Sequence, residues 1–482
     1  MKEQLLTSFK AVTLLTAGGM AIQGTATAQQ TKSPNIIIML ADDLGWGDVG
    51  YNGNTEIKTP ALDNMVESGV TFNSFYTAAP LSSPTRASVM TGRHPFRTGI
   101  YAAHTEALKN AEITIAEVCK SNGYATGFFG KWHLGWIEPE GKDNRGYYSP
   151  PHNHGFDETF ATRSAVPTWN PTITPKGWKG FTGTSEEGDG TKPWTGSRYL
   201  HNGVVETENL SGDDSRVIMD RVIPFIDKSV GEDKPFMTCV WFHAPHEPAV
   251  AGPDYLEMYS HFENEEKRHY YGCITAMDDQ IARLIAHLKE IGEYENTIIF
   301  FTSDNGASTG AVSRGVASVG DFRGSKHHVY EGGLRVPSIM VWPEGIEAGV
   351  EVNTQSTTCD IFPTLVDLAE MKFRHNDAYF LDGISMVPSL SDTELPRDKA
   401  FFSGWRRAYR GQYGRAVVDG DYKYVYPELS ETPELYNIKL DPNETNNIIK
   451  KEKKRAAKME AQLNEMIESF RFSDIGGDYS SY

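Results

Sequence analysis

Apolar runs of strand length alternate with helix-length patterns through about residue 370, the mark of a mostly parallel α/β sheet. The strands this predicts are Asn35–Leu40, Ala125–Phe129, Phe236–Phe242, Thr297–Phe301 and Val336–Val341. An amphipathic helix carries Ile274, Met277, Ile281, Leu284, Ile285 and Leu288 on one face, and its Asp278-Asp279 pair reads as solvent-facing. After Phe373 the pattern changes. Arg415–Tyr426 reads as a hairpin around Asp419-Gly420, Glu434–Asn437 as a short strand, and Ile448–Phe470 as a charged helix. The expectation is an α/β domain over 29–372, with helices flanking the sheet, and a smaller α+β domain over 373–482 built on an antiparallel sheet. Between Trp136 and His201 the chain is rich in Gly, Pro, Trp and Thr without a period, a composition that shapes sites more often than cores.

The first residues read as an export signal. Lys2 and Lys10 precede the apolar stretch Ala11–Ile22, and Ala26-Thr27-Ala28 is a small-x-small cleavage site. The run is too short to span a membrane, and no cysteine follows the site to take a lipid. A leader over 1–28 and a periplasmic or secreted mature chain with no membrane span are expected. At 39% hydrophobic and 23% charged residues the composition is globular, which excludes wholesale disorder. A net charge of −18 argues against nucleic acid or anionic membrane as partners. Cys119, Cys239, Cys273 and Cys359 lack metal or redox spacing and suit buried thiols or one chance pair.

Candidate chemistry gathers where the strands end, which is where open α/β sheets place their ligands. Asn35–Leu40 runs into Asp42-Asp43, Ala125–Phe129 into Gly130-Lys131-Trp132-His133, Phe236–Phe242 toward His243-Ala244-Pro245-His246, and Thr297–Phe301 into Ser303-Asp304-Asn305-Gly306. Asp42, Asp43, Asp304 and Asn305 are hard oxygen donors, which suits Ca²⁺ or Mg²⁺ and not zinc. Gly45 and Gly47 are read as letting the backbone approach that ion. Arg86, Lys131, His133, His246 and Lys326 supply cations, so an anionic ligand can be met inside an acidic shell. Ser82-Ser83-Pro84-Thr85-Arg86 sets Ser82 at the start of a short helix ending near Thr91-Gly92, because Pro84 suits only a first turn. By itself Ser82 reads equally well as a helix cap.

These segments resemble the type I, formylglycine-dependent sulfatases. The resemblance rests on Ser82-Ser83-Pro84-Thr85-Arg86 with Thr91-Gly92-Arg93, on Asp42-Asp43-Leu44-Gly45-Trp46-Gly47-Asp48, and on Gly130-Lys131-Trp132-His133-Leu134-Gly135. Further along it rests on Ala244-Pro245-His246-Glu247-Pro248, Ser303-Asp304-Asn305-Gly306, Arg323-Gly324-Ser325-Lys326 with Tyr330–Pro337, and Glu434-Leu435-Tyr436-Asn437 with Asp441–Thr445. It implies an alkaline-phosphatase-like fold and oxidation of Ser82 to formylglycine, whose hydrated form attacks sulfur while bound to Ca²⁺ or Mg²⁺ through Asp42, Asp43, Asp304, Asn305 and residue 82. Arg86, Lys131 and Lys326 would neutralise the sulfuryl oxygens, His246 would protonate the leaving alcohol, and His133 would take the proton that restores the aldehyde. Serine at position 82 implies a serine-type radical maturation enzyme as partner and an anaerobic bacterial source.

The substrate implied is a sulfated saccharide, first a 2-O-sulfated unsaturated uronate from glycosaminoglycan, and second a 6-O-sulfated hexosamine or galactose. His104, Arg145, His152, Arg163, Trp169 and Lys176 are the candidate sugar contacts. A phosphonate or phosphodiester hydrolase on the same scaffold, and a non-catalytic sulfated-glycan binder, are the alternatives. A two-zinc phosphatase is disfavoured by the oxygen-only donor set.

Overall fold

The strand Asn35–Ala41 is buried along its whole length. Its alternate side chains enter two different cores: Ile37, Met39 and Ala41 on one face, Ile36, Ile38 and Leu40 on the other. Such a continuous apolar run requires cover on both sides of the sheet. In the computed structural model, which describes residues 32–104, 106–138, 147–180, 183, 185–375, 379–406, 413–427, 430 and 432–479, helices provide that cover. Asp214–Gly231 and Glu265–Glu290 pack on the first face through residues such as Ile218, Val222, Met277 and Leu284. Ser82–Thr91, Ile115–Ser121 and Ile361–Leu368 pack on the second through Val89, Met90, Val118 and Leu365.

The sheet has ten strands in the order Val350–Val352, Val70–Phe72, Ser338–Val341, Thr297–Ser303, Asn35–Ala41, Phe236–Trp241, Ala125–Lys131, Glu158–Thr162, Leu200–His201 and Val204–Val205. From Thr297–Ser303 to Glu158–Thr162 neighbouring strands are all parallel, so their carboxyl ends share one edge. Ser338–Val341 runs antiparallel to Thr297–Ser303. The segment leading into it, with Lys326, therefore reaches the same edge. The expected α/β architecture is present, and strand limits differ from the apolar pattern by one or two residues. Glu158–Thr162, a strand inside the insertion, is not predicted by the pattern because Glu-Thr-Phe-Ala-Thr is too polar and short to stand out.

Asp278 corrects one expectation. It is buried, and its carboxylate accepts the backbone N–H of Ala61 at 2.8 Å and of Leu62 at 2.9 Å, at the start of the helix Pro60–Ser68. A helix N-terminus offers unpaired donors, and those donors draw the carboxylate inward although burial pushes its pKa up to about 7. Asp279 accepts from the Tyr255 hydroxyl. The four cysteines are free, buried thiols. Among the described residues no helix is long and apolar enough to cross a membrane. The expected leader lies outside the described residues.

Phe401–Arg406, Tyr413–Asp419, Tyr422–Tyr426 and Glu434–Asn437 form a four-stranded antiparallel sheet, as expected. The helix Lys453–Asp474 covers one face, with Met459, Leu463 and Phe470 against Val417, Tyr424 and Leu435. The other face sets Ala416, Val418 and Val425 against Tyr76, Leu81, Val329 and Leu334, the chain that leads into Ser82 and surrounds Lys326. A fully buried Lys423 fastens this contact, 2.9 Å from both Glu331 and Glu444, while Tyr76 donates to Glu331 at 2.9 Å. Removing the lysine leaves Glu444 without its cation and Glu331 with only Arg335, at 3.5 Å. Lys423→Ala should lower unfolding free energy by about 3–5 kcal/mol in thermal or urea denaturation.

Candidate active site

The helix Ser82–Thr91 is buried at every position. Leu81 enters it extended, Pro84 sits in the first turn, and Gly92 closes it in the left-handed conformation at φ 67°. A side chain at Gly92 would also strike Phe362. Ser82 Oγ lies 3.3 Å from Asp42 Oδ1 and 3.3 Å from Asn305 Oδ1. Position 82 thus meets the ends of the Asn35–Ala41 and Thr297–Ser303 strands at the sheet edge.

Each carboxylate here has its own cation. Lys131 Nζ is 2.6 Å from Asp42 Oδ2, and Lys326 Nζ is 2.6 and 2.8 Å from the two Asp43 oxygens. Arg86 donates to Asp304 Oδ2 from Nη2 at 2.7 Å and from Nε at 3.1 Å, and to the Lys131 carbonyl at 2.9 Å. Its guanidinium lies over the Trp241 ring, 5.1 Å from the centroid. Asp43 takes φ 65°, a left-handed conformation costly for any residue but glycine. Its N–H donates to Asp304 Oδ1 and its carboxylate accepts from Asn305 Nδ2 at 2.7 Å, so the neighbouring groups hold that conformation.

Burial alone would raise the Asp42 and Asp43 carboxyls. Lys131, His246 and Arg86 outweigh it at Asp42, and Lys326 and His246 at Asp43, so both are held below the usual carboxylate range. At Asp304 burial and the Asp42 charge win over Arg86, and its pKa is pushed up to about 6. Burial lowers Lys131 despite Asp42, whereas at Lys326 the Asp43 and Asp42 charges overcome burial and raise it.

Ligand atoms of Asp42, Asp43 and His246 lie within 4.8 Å of one another. With Asn305 Oδ1 and Ser82 Oγ alongside, this is a hard, oxygen-rich set of the kind Ca²⁺ or Mg²⁺ takes. The chemistry of the donors therefore fits the cation expected from the sequence. Asp304, the fourth expected ligand, is engaged at both oxygens as Asp43 is, one facing Arg86 and the other the Asp43 N–H. Gly45 and Gly47 serve a different purpose from the one expected. A Cβ at either would strike the Ser318 residue, at 2.2 Å from its carbonyl oxygen and 2.4 Å from its hydroxyl, so these glycines allow chain-to-chain packing, not approach to an ion.

His246 hydrogen-bonds the Glu247 carbonyl through Nδ1 at 2.6 Å and places Nε2 3.8 Å from Asp43. Burial, with Lys131 adding to it, lowers its pKa to about 4 against the pull of Asp42. His133 is lowered as well, by burial and by Lys131. It faces His104 and lines a cavity of about 260 Å³ with His104, Trp136, Tyr147 and Arg163. Arg163 stacks on Trp136 at 3.8 Å and lies 3.8 Å from Glu138.

Trp169 and Lys176 belong to a separate cavity of about 810 Å³, lined also by Trp178 and by Pro245 and Glu247 on either side of His246. His152 is exposed on the turn Pro151–His154, next to the amino end of the Ala125–Lys131 strand, and the structure does not bring it to the site. The turn ahead of a parallel strand lies at the opposite edge from the turn after it. Arg145 lies outside the described residues.

One element of the site is not evident from the sequence. His243 Nε2 is 2.7 Å from Thr162 Oγ1 and its Nδ1 2.8 Å from Asp214, which also accepts from Tyr199 at 2.6 Å. This buried network ties the strand end carrying Arg163 to the one carrying His246. Its only signal is a second histidine three residues before His246.

The family model described as Sulfatase matches residues 34–371, and one described as N-sulphoglucosamine sulphohydrolase, C-terminal, matches 322–472. The chain is 30% identical to N-acetylgalactosamine-6-sulfatase of Mus musculus, covering 87% of this chain and 75% of that protein. It is 30% identical to arylsulfatase A of Homo sapiens, over 91% and 86% of the two chains. The crystal structure of Ps i-CgsB in complex with k-i-k-neocarrahexaose superposes with a TM-score of 0.77 at 27% identity, covering 91% of this chain and 93% of that one.

Isothermal titration of metal-stripped protein with Ca²⁺ or Mg²⁺ should show a single site. Asp42→Ala should abolish it.

Proposed function

The chain is a member of the sulfatase family and so a sulfuric ester hydrolase, and on that premise we propose that it removes sulfate from the 6-oxygen of a hexosamine or galactose unit. The observation that carries the reading is Ser82 Oγ set between Asp42 and Asn305 with Lys131, Lys326 and Arg86 around it. Asp42, Asp43, Asp304, Asn305 and residue 82 would hold Ca²⁺ or Mg²⁺, and that cation would supply positive charge and a lowered oxygen pKa. Oxidation of Ser82 to formylglycine, by a serine-type radical maturation enzyme, would supply a hydrated aldehyde as nucleophile.

The chain's own residues do the rest. An ammonium has three donors, and Lys131 and Lys326 use only some of theirs on Asp42 and Asp43, so both can also bind sulfuryl oxygens. The bond from sulfur to the sugar oxygen breaks as one forms to the oxygen at position 82. His246 delivers a proton to the departing sugar oxygen, a poor leaving group when unprotonated. Arrival of the anionic ester favours the imidazolium that this role requires. His133 takes the proton whose removal releases sulfate.

The similarity to N-acetylgalactosamine-6-sulfatases supports the 6-O-position. The 2-O-sulfated uronate reading needs cations for a carboxylate. Of the two described candidates beside His133, His104 is held neutral near neutral pH, and Arg163 is already stacked on Trp136. Export follows from the N-terminal pattern of Lys2, Lys10 and the Ala26-Thr27-Ala28 site.

A panel of 6-O-sulfated N-acetylgalactosamine, N-acetylglucosamine and galactose, a 2-O-sulfated unsaturated disaccharide and a phosphonate monoester tests this. Fastest turnover on a 6-O-sulfate is expected, and preference for the uronate or the phosphonate would overturn it. The peptide containing residue 82, from native cells, should be two hydrogens lighter than encoded. Ser82→Ala should cut kcat by at least ~10⁴-fold. His246→Ala should slow sugar sulfates more than an aryl sulfate, and equal losses would count against its role as the acid.

A further inference from the structure

We propose that His104 is a positioning residue for His133, holding that imidazole in the tautomer that leaves Nδ1 as a bare lone pair at the reacting centre. The proposal rests on His133 being the base that releases sulfate.

The two Nε2 atoms face each other at 3.3 Å, with ring centroids 4.4 Å apart. Between two neutral rings in that arrangement only one of the facing nitrogens carries hydrogen. His133 is buried and His104 is exposed at the mouth of the cavity; desolvation where the rings meet, together with Lys131, lowers both, His104 to about 4, so both are neutral near neutral pH.

The other nitrogen of His133 decides which way the proton lies. His133 Nδ1 is buried and has no hydrogen-bond partner among the described residues. The ring stands in the field of Lys131 and Arg86. An N–H at Nδ1 would be a buried orphan donor in a positive field, and a lone pair there is favoured by that same field. The hydrogen therefore sits on Nε2 and is donated to His104.

When Nδ1 takes a proton, His133 becomes an imidazolium bonded through Nε2–H to His104. Release of the Nδ1 proton to water restores the starting tautomer, so His104 exchanges nothing. Both residues sit in left-handed backbone, His104 at φ 66° and His133 at φ 56°, a region less common for side-chain-bearing residues in which histidine is among the better tolerated.

The choice of imidazole as the orienting group has a physical reason. Many catalytic histidines are oriented by a carboxylate. Here a carboxylate would set a negative charge beside an incoming sulfate. A neutral histidine fixes the tautomer and adds no further negative charge to the three carboxylates already there.

Ring ¹⁵N spectra of the full-length, uniformly labelled protein test this without turnover. Wild-type His133 should show an unprotonated Nδ1 and a protonated Nε2. His104→Ala should lose that preference and drop kcat ~10–100-fold, with KM changed less than ~3-fold. His104→Gln keeps an acceptor oxygen and should restore the Nδ1 signature and most of kcat. Thermal midpoints near wild type would show that both variants fold.

A protonated Nδ1 in the wild type would overturn the proposal. So would equal losses in His104→Ala and His104→Gln, or a loss confined to KM, which would make His104 a substrate contact. Inactivity of the wild type on every sulfate ester would instead defeat the function proposed above, and the tautomer would still be read.

Discussion

Burying Asp42, Asp43 and Asp304 side by side demands that cations be buried with them. An unpaired charge in such a place costs several kcal/mol, so Lys131, Lys326 and Arg86 are as much a condition of the fold as of any chemistry. The three cations come from three distant parts of the chain: a helix, the end of one strand, and the approach to an antiparallel one. Only the parallel order of the middle strands brings them to the same edge. The sheet and the charge cluster thus specify each other. A shift of one strand by a residue would leave a carboxylate in the interior without its partner.

Much of this is legible in the amino-acid sequence alone, for a reason visible at Asn35–Ala41. A strand covered on both faces is written as an unbroken apolar run, and whatever follows the run lies at the ligand edge. That rule locates Asp42, Lys131 and Asp304 without any knowledge of contacts. It fails where the physics is not written locally. Asp278 lies on a helix that looks solvated at that point, and only the approach of another helix's N-terminus makes the inward position favourable. His152 sits in a region rich in candidate contacts, but the turn that carries it precedes its strand instead of following it. Gly45 and Gly47 are recognisable as points of close approach, though what approaches them is a loop more than two hundred residues away.

The C-terminal sheet has a structural bearing on the site that its own sequence does not declare. One face is closed by its helix. The other is pressed on Tyr76, Leu81 and Leu334, the residues that hold the Ser82 helix and the Lys326 segment in place. Lys423, Glu331 and Glu444 turn that contact into a specific one, since two apolar faces could slide whereas a buried ion triad has one register. The two cavities beside the site divide the remaining work. One is small and shares His133. The other is larger, lined by tryptophans, and borders the segment of His246.

The helix that begins at Ser82 is enclosed along its whole length, and Ser82 itself retains 1% of its surface. No second protein can grip a residue enclosed in this way. The oxidation proposed for Ser82 therefore sets an order of events on the life of the molecule. A maturing enzyme would have to meet a linear stretch of chain, before the sheet edge, the C-terminal sheet and Arg86 close around it. On that proposal a molecule that folds first would be locked out of its own activation, and its native structure, however stable, would preserve an unconverted serine. Folding speed and maturation would then be in competition, and the fraction of active protein would record which of them came first.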